Sequence, residues 1–343
     1  MMLNKNRMRR WDANKFLVML ALALSLALLF SSTAFAEEEW STNGPANSNV
    51  NSVPLSPYFD NDDTIFAGTP SGVYRSIDRG KTWTLINNGL TSTNVRSITM
   101  SPGFQTDKTV FAGTNGGVFK STNSGDLWAP VNTGLTNSDV RSLAISKDFI
   151  NDRTLFAGTA AGVFKTTDDG ANWAPVNTGL TNPDVRALTI SLDFVNDNTM
   201  FAGTHGGGVF KSTNRGASWS QTNSGFTNLF ITDIVISPQF TTDSTIYVST
   251  NGAGVFKSTN AGATWAAAND GITNLNILAL GISPNFPNKG NTVFAGTSGD
   301  GVFKSNDDGA SWKIINNGLM HKLVLSLETP PCYCLDRTLF AGT

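Results

Sequence analysis

The chain of 343 residues has very little of what most enzymes and metalloproteins work with. Its two cysteines, Cys332 and Cys334, are one residue apart. That spacing suits a mutual disulfide poorly, so no disulfide framework is expected. A Cys-x-Cys pair without further soft ligands is also a weak metal signal. The only histidines, His205 and His321, are expected in solvated turns, and a His-based triad or zinc site is excluded. Glutamate occurs at Glu37, Glu38, Glu39 and Glu328 and nowhere else. Glycosidase chemistry needs two carboxyl groups at a defined separation, and the sequence identifies no second partner for either Glu328 or Asp300. Charged residues make up only 15%. Beyond residue 36 there are 19 Lys and Arg against 25 Asp and Glu, with no basic run, which argues against a nucleic-acid partner. No metal and no cofactor is expected, and a monomer is.

What is present begins with an address. Lys5, Arg7, Arg9, Arg10 and Lys15 precede the run Phe16 to Phe30, apolar except for Ser25, and Ala34-Phe35-Ala36 closes it. These are the three regions of a secretory signal peptide, assigned to residues 1–36. The run is short for a membrane span, so the alternative of a retained anchor is the weaker one. A secreted, extracellular or periplasmic protein with no stable membrane span follows.

The rest of the chain repeats. The octad [S/T]-x-[D/N]-x-G-x-x-W recurs six times, with tryptophans at Trp83, Trp128, Trp173, Trp219, Trp265 and Trp312, spaced by 45, 45, 46, 46 and 47 residues. A period of this length denotes a repeat architecture, and one unit holds four short strands with their turns. Asp78, Asn123, Asp168, Asn214, Asn260 and Asp307 share one column. Asp and Asn both close Asx-turns by accepting from main-chain N–H groups two residues on, whereas a catalytic carboxylate does not tolerate replacement by an amide. The column is therefore structural. Two residues later a glycine supplies a positive φ, and the tryptophan that follows opens a strand with a ring that needs burial. In the Arg141–Thr181 unit the strands read Arg141 to Ile145, Thr154 to Thr159, Gly162 to Lys165 and onward from Trp173, with alternating large and small side chains in the first.

The octad resembles the Asp-box, or BNR, repeat of a β-propeller superfamily that includes sialidases, xyloglucan-degrading glucanases, sortilin-type receptors and the photosystem II assembly factor. The resemblance covers residues 37–343 and implies an all-β propeller. Six full repeats plus strands of a partial seventh, Lys322 to Thr343, lead us to expect seven blades, the incomplete last one closed by an N-terminal strand at Trp40 to Gly44. Either the sequence is C-terminally truncated or that blade keeps an open edge. Calcium at the boxes is disfavoured because half of them carry Asn.

The same resemblance puts the boxes on one face and the ligands of the family's enzymes on the other. On that second face, the first strands begin with Asn51, Arg96, Arg141, Arg186, Thr232, Leu278 and Leu325. Three consecutive blades thus carry guanidinium groups, which suit bidentate capture of a carboxylate or phosphate. Two residues earlier stand Asp139, Asp184 and Phe230. The competing reading is that the two aspartates pair with the arginines in a rim network. Two functions remain: a non-catalytic platform for a protein, peptide or envelope glycan, or a glycoside hydrolase of the sialidase or xyloglucanase type. The minimal turns, such as Thr159-Ala160-Ala161-Gly162, favour the platform. The lean Phe-Ala-Gly-Thr strands carry no mark of the photosystem factor.

Overall fold

A computed structural model describes residues 39–45, 48–283, 292–330 and 338–343. The segment expected to be a signal peptide and both cysteines lie outside them. Within the compact unit Trp40–Thr343, consecutive antiparallel sheets are built from the repeat. In the third unit Val140–Ile145 pairs with Leu155–Thr159, that strand with Gly162–Thr166, and the last with Ala174–Pro175. The first strands pack side by side from unit to unit, so the sheets radiate as blades from a common axis. This is an all-β propeller.

Six blades form, not the expected seven. Five have four strands, and in blade 1 the first strand is reduced to the bridges Ser52–Gly68 and Leu55–Ile65. Where a seventh would stand, Ser326–Glu328 pairs only with Phe340–Gly342 among the described residues. The ring is nevertheless continuous there. The Ser326 hydroxyl donates to the Val50 carbonyl at 3.0 Å, and the Val50 amide donates to Thr343 at 3.3 Å.

The octad turns differ in one respect from the Asx-turn expected. The Asp or Asn oxygen accepts from the amide four residues on, not two: Thr82 to Asp78 at 2.9 Å, Asn172 to Asp168 at 2.9 Å, Ser311 to Asp307 at 2.9 Å. The octad's first hydroxyl takes over the two-residue closure, as Asp78 N to Ser76 Oγ at 3.4 Å, and accepts the glycine amide as well, Gly80 N to Ser76 Oγ at 2.8 Å. Five of the six indoles are 2–5% exposed, and Trp83 is half-buried. Each donates to a carbonyl three residues past the preceding tryptophan, as Trp173 does to Val131 and Trp219 to Val176.

Between the first and second strands each of the first five blades inserts a one-turn helix, such as Phe149–Asp152, which strand periodicity does not signal. Its buried phenylalanine meets the second-strand ring of the preceding blade edge to face: Phe66–Phe104, Phe111–Phe149, Phe156–Phe194 and Phe201–Phe240, with centroids 5.6–6.0 Å apart. Each buried ring contributes about 1.5–3 kcal/mol of transfer free energy, so adhesion between blades is spread evenly around the ring. Phe59–Phe340 repeats the contact across the chain ends.

In blades 2 to 6 a lysine of the third strand lies over the second-strand ring, as Lys165 over Phe156. It reaches the residue after the Asp/Asn of the next box: Lys120 pairs with Asp169 and Lys257 with Asp308. Lys211 finds only the Ala261 carbonyl, at 2.9 Å.

Candidate functional site

At the start of each first strand a bulge breaks the register, between Val140 and Ser142 in blade 3 and at equivalent positions in blades 2, 4, 5 and 6. The extra residue is left free to turn toward the axis. In blades 2, 3 and 4 that residue is arginine, and Arg96, Arg141 and Arg186 come together at one end of the channel.

They do not converge on a single point. Asp139 and Asp184 stand between them, making the ladder Arg96–Asp139–Arg141–Asp184–Arg186 across three blades. Arg96 pairs with Asp139, and Arg141 reaches the same carboxylate with Nε at 3.0 Å and Nη2 at 2.9 Å. Arg141 also pairs with Asp184, which Arg186 grips through Nε at 2.9 Å and Nη2 at 3.1 Å. The rim network foreseen as the competing reading is therefore present. It is not neutral: three cations share two anions. Arg141, with a side chain 16% exposed, has a partner on each side, while Arg96 and Arg186, at 33% and 38%, have one each. Burial lowers the Arg141 pKa from its ordinary value, and the Arg186 charge adds to this against the pull of Asp139.

Phe230 continues the arc. It is 43% exposed, bridges His205 through the main chain and touches the His205 ring at 4.7 Å between centroids. His205 Nδ1 is 3.9 Å from Asp184. Burial first, then Arg186 and Arg141, lower the histidine pKa from its ordinary value, which favours the neutral ring. Beyond Phe230 the rim turns apolar, with Leu275 and Leu323 each 38% exposed. The mouth is thus charged over blades 2 to 4, with exposed apolar side chains at intervals beyond them. Asp300, on the same face, accepts from the Thr273 hydroxyl at 3.0 Å.

Deeper in the channel are groups that sequence columns did not flag as functional. A serine in the first strand accepts the next blade's amide: Ile98 N to Ser52, Leu143 N to Ser97, Leu188 N to Ser142, at 3.0–3.1 Å. At Ala187 the hydroxyl is missing, and Asp233 repairs the seam alone, accepting from Ile234 N at 2.8 Å and Leu280 N at 2.9 Å. Enclosure by protein raises its pKa to about 6 despite these bonds. Further along, Glu328 occupies the station of Thr99, Ala144 and Thr189: each is paired with a second-strand phenylalanine, Glu328 with Phe340. Burial raises its pKa to about 7, Lys147 drawing it down and Asp233 pushing it up. The signal available in the sequence was departure from the column, Glu among Thr, Ala and Val. Among the described residues no cluster of three or more His, Cys, Asp or Glu is placed to hold a metal, and no helix is long and apolar enough to cross a membrane.

No family model matches this chain, and no match is found among curated proteins. Solved structures do match. The extracellular domain of the one component system BT4673 from B. thetaiotaomicron is 16% identical, with a TM-score of 0.66 over 90% of this chain and 38% of its own. The GH74 xyloglucanase from Xanthomonas campestris is 19% identical, with a TM-score of 0.62 over 86% of this chain and 42% of its own. YCF48 bound to D1 peptide is 13% identical, with a TM-score of 0.62 over 85% of this chain and 92% of its own. The chain spans less than half the length of the first two. At these identities the likeness is one of fold, which hosts both binding domains and hydrolases.

Proposed function

We propose that this protein is an exported, non-catalytic propeller of the Asp-box type that binds a protein, peptide or envelope glycan at the arginine end of its channel. Residues 1–36 act as its signal peptide and residues 37–343 as one monomeric binding domain. The observation that carries the reading is the ladder itself: a five-residue network with one positive charge in excess, ending in Arg96 and Arg186, each with one carboxylate partner. Asp139 and Asp184 hold the guanidinium groups in place, which lowers the entropy lost when a ligand carboxylate or phosphate engages their remaining N–H groups. Phe230 offers an apolar surface beside them. YCF48, of the same fold, is a peptide binder, and the short turns here are compatible with a peptide crossing the mouth.

A glycoside hydrolase of the xyloglucanase or sialidase type is the alternative. Asp300 accepts from the Thr273 hydroxyl, and the two aspartates of the ladder are engaged by arginine. Peptide and glycan arrays probed with the wild type and with Arg96→Ala/Arg186→Ala test the platform. Wild-type binding that the double variant loses is expected; equal binding by both overturns the assignment of the site. Turnover of a fluorogenic xyloglucan oligosaccharide or sialoside would establish the hydrolase instead.

A further inference from the structure

The end of the channel opposite the arginines carries its own chemistry. Arg96 and Arg186 stand second in their strands, whereas Thr99 and Thr189 follow three residues, roughly 10 Å, further along. There a cavity of about 250 Å³ opens, lined by Thr99, Thr189, Lys147, Leu188, Leu192 and Ile236 among others. That is the space of roughly eight water molecules, and less than the ~300–1,000 Å³ of pockets for drug-sized ligands. Two of its walls break a sequence column. The residue after the serine or threonine that follows each first strand is proline at Pro57, Pro102, Pro238, Pro284 and Pro330. In blade 3 it is Lys147 and in blade 4 Leu192. The two departures from proline thus stand in adjacent blades, and both line this cavity.

The two departures differ in kind. Leu192 is 50% exposed and, with Leu188 and Ile236, makes one flank of the cavity aliphatic. Lys147 makes no hydrogen bond or ion pair with a described residue. Water reaches its side chain, yet surrounding protein desolvates the ammonium enough to lower its pKa, against the pull of Glu328, which does not line the cavity. The hydroxyls of Thr99 and Thr189, both half-buried, likewise have no partner among the described residues. One cation, two hydroxyls and an aliphatic flank therefore share a space for about eight non-hydrogen atoms. We infer that this end of the channel binds a short aliphatic monocarboxylate, with its carboxylate on the Lys147 ammonium and its hydrocarbon tail against Leu188, Leu192 and Ile236. The hydroxyls of Thr99 and Thr189 are the further donors to the carboxylate. A single ammonium matches a single negative charge. A dianion such as phosphate leaves one charge uncompensated and puts nothing on the aliphatic flank, and a ligand amine meets Lys147 as a like charge. The site stands apart from the arginine ladder, so the inference holds whether or not the ladder binds a ligand.

Isothermal titration of the whole protein with hexanoate tests this, alongside hexan-1-ol, which keeps the tail without the charge, and acetate, which keeps the charge without the tail. Hexanoate should bind with a Kd of about 1 mM or tighter. Each truncated probe should be weaker by about tenfold or more, the loss expected for one charge-assisted contact or for several buried methylenes. Lys147→Met should weaken hexanoate by a similar factor, while Arg96→Ala/Arg186→Ala leaves it unchanged. Unaltered circular dichroism and melting temperature would certify the variants as folded, and Lys147→Gln stands in if Lys147→Met is not. Hexanoate-induced shifts of the Thr99 and Thr189 methyl resonances locate the site independently. The inference is overturned if hexanoate does not bind, if hexan-1-ol or acetate binds as tightly, if the folded Lys147 variant binds hexanoate as the wild type does, or if the double arginine variant loses it.

Discussion

The indole of Trp83 donates to the main-chain carbonyl of Asn43, three residues past Trp40, and the indole of Trp40 donates to Ile315, three residues past Trp312. This is the link that every other octad tryptophan makes to the blade before it. Trp40 belongs to no octad, yet it fills the position a seventh octad would fill, and its amide meets Asn317 at 2.8 Å as the Trp312 amide meets Asp270. The circle of indole bonds thus closes across the ring although only six blades form among the described residues.

Trp40→Ala should therefore act as a closure variant rather than as a terminal one. The ring is half-buried, so a loss of about 2–4 kcal/mol is expected, toward the lower part of the range for deleting a large aromatic. Urea unfolding measures it. A loss below about 0.5 kcal/mol, typical of a surface change, would show that the N-terminal segment does not hold the ring together.

Within the ladder the middle and the ends should behave differently. Arg141→Ala strips a partner from both Asp139 and Asp184 and should cost about 1–2 kcal/mol, less than a fully buried pair because the carboxylates are partly solvated. Arg96→Ala and Arg186→Ala remove end members and should each cost about 0.5 kcal/mol or less. Thermal unfolding at low and high salt checks the ranking, and Arg141→Ala should show the smaller salt dependence because its pairs are the less exposed.

Asp233 and Ala187 form a natural double-mutant cycle. Asp233→Ser restores the repeat's own residue toward Leu280 but orphans the Ile234 amide, at a cost of about 1–3 kcal/mol. Adding Ala187→Ser supplies the hydroxyl that blades 1 to 3 use and should recover most of that loss. Additive effects in chemical denaturation would contradict the account of the seam.

Glu328 predicts the pH dependence. Its folded pKa of about 7 lies above the ordinary 4.5, and that of Asp233, about 6, lies above 3.8. Between these limits the folded state holds more protons than the unfolded one, so stability falls as pH rises from about 4 to 7 and levels off above that. Glu328→Gln should flatten the decline and raise the melting temperature at pH 8 relative to wild type. The turn aspartates Asp78, Asp168 and Asp307 work in the opposite direction. Hydrogen bonds from the neighbouring octad residues hold each at about 2, so their contribution is lost as pH drops from about 4 toward 2.

Ala261 sits at a φ of 54°, where its equivalents include Asp169 and Asp308. Ala261→Asp places a residue more tolerant of the left-handed region and gives Lys211 the counter-ion that Lys120 and Lys257 already have. A gain of about 0.5–1 kcal/mol is expected, together with a higher Lys211 pKa, since burial now lowers it with only the distant charge of Asp197 opposing. Calorimetry and titration of that lysine measure the two effects.

How much was legible in advance follows the distance over which each feature is encoded. The octad turns, their glycines and the buried indoles were readable because every partner lies within eight residues or recurs at a constant period. The arginine column was readable too, since the repeat aligns blades without any need for coordinates. That Asp139 and Asp184 would alternate with the arginines, rather than leave three cations converging, depended on side-chain reach between blades. The one-turn helices were missed because four residues are too few for helical periodicity to register.

The sequence by itself determined the repeating unit, its strand order and the positions free to depart from the template, because short-range hydrogen bonding and alternation act within one unit. The tertiary structure alone decided which departures meet. Closing the sheets around an axis seats Trp40 beside Ile315, 275 residues on, and sets Phe59 against Phe340. Such encounters depend on blade angle and ring closure, which arise from the summed packing of every interface and are written in no single stretch of chain.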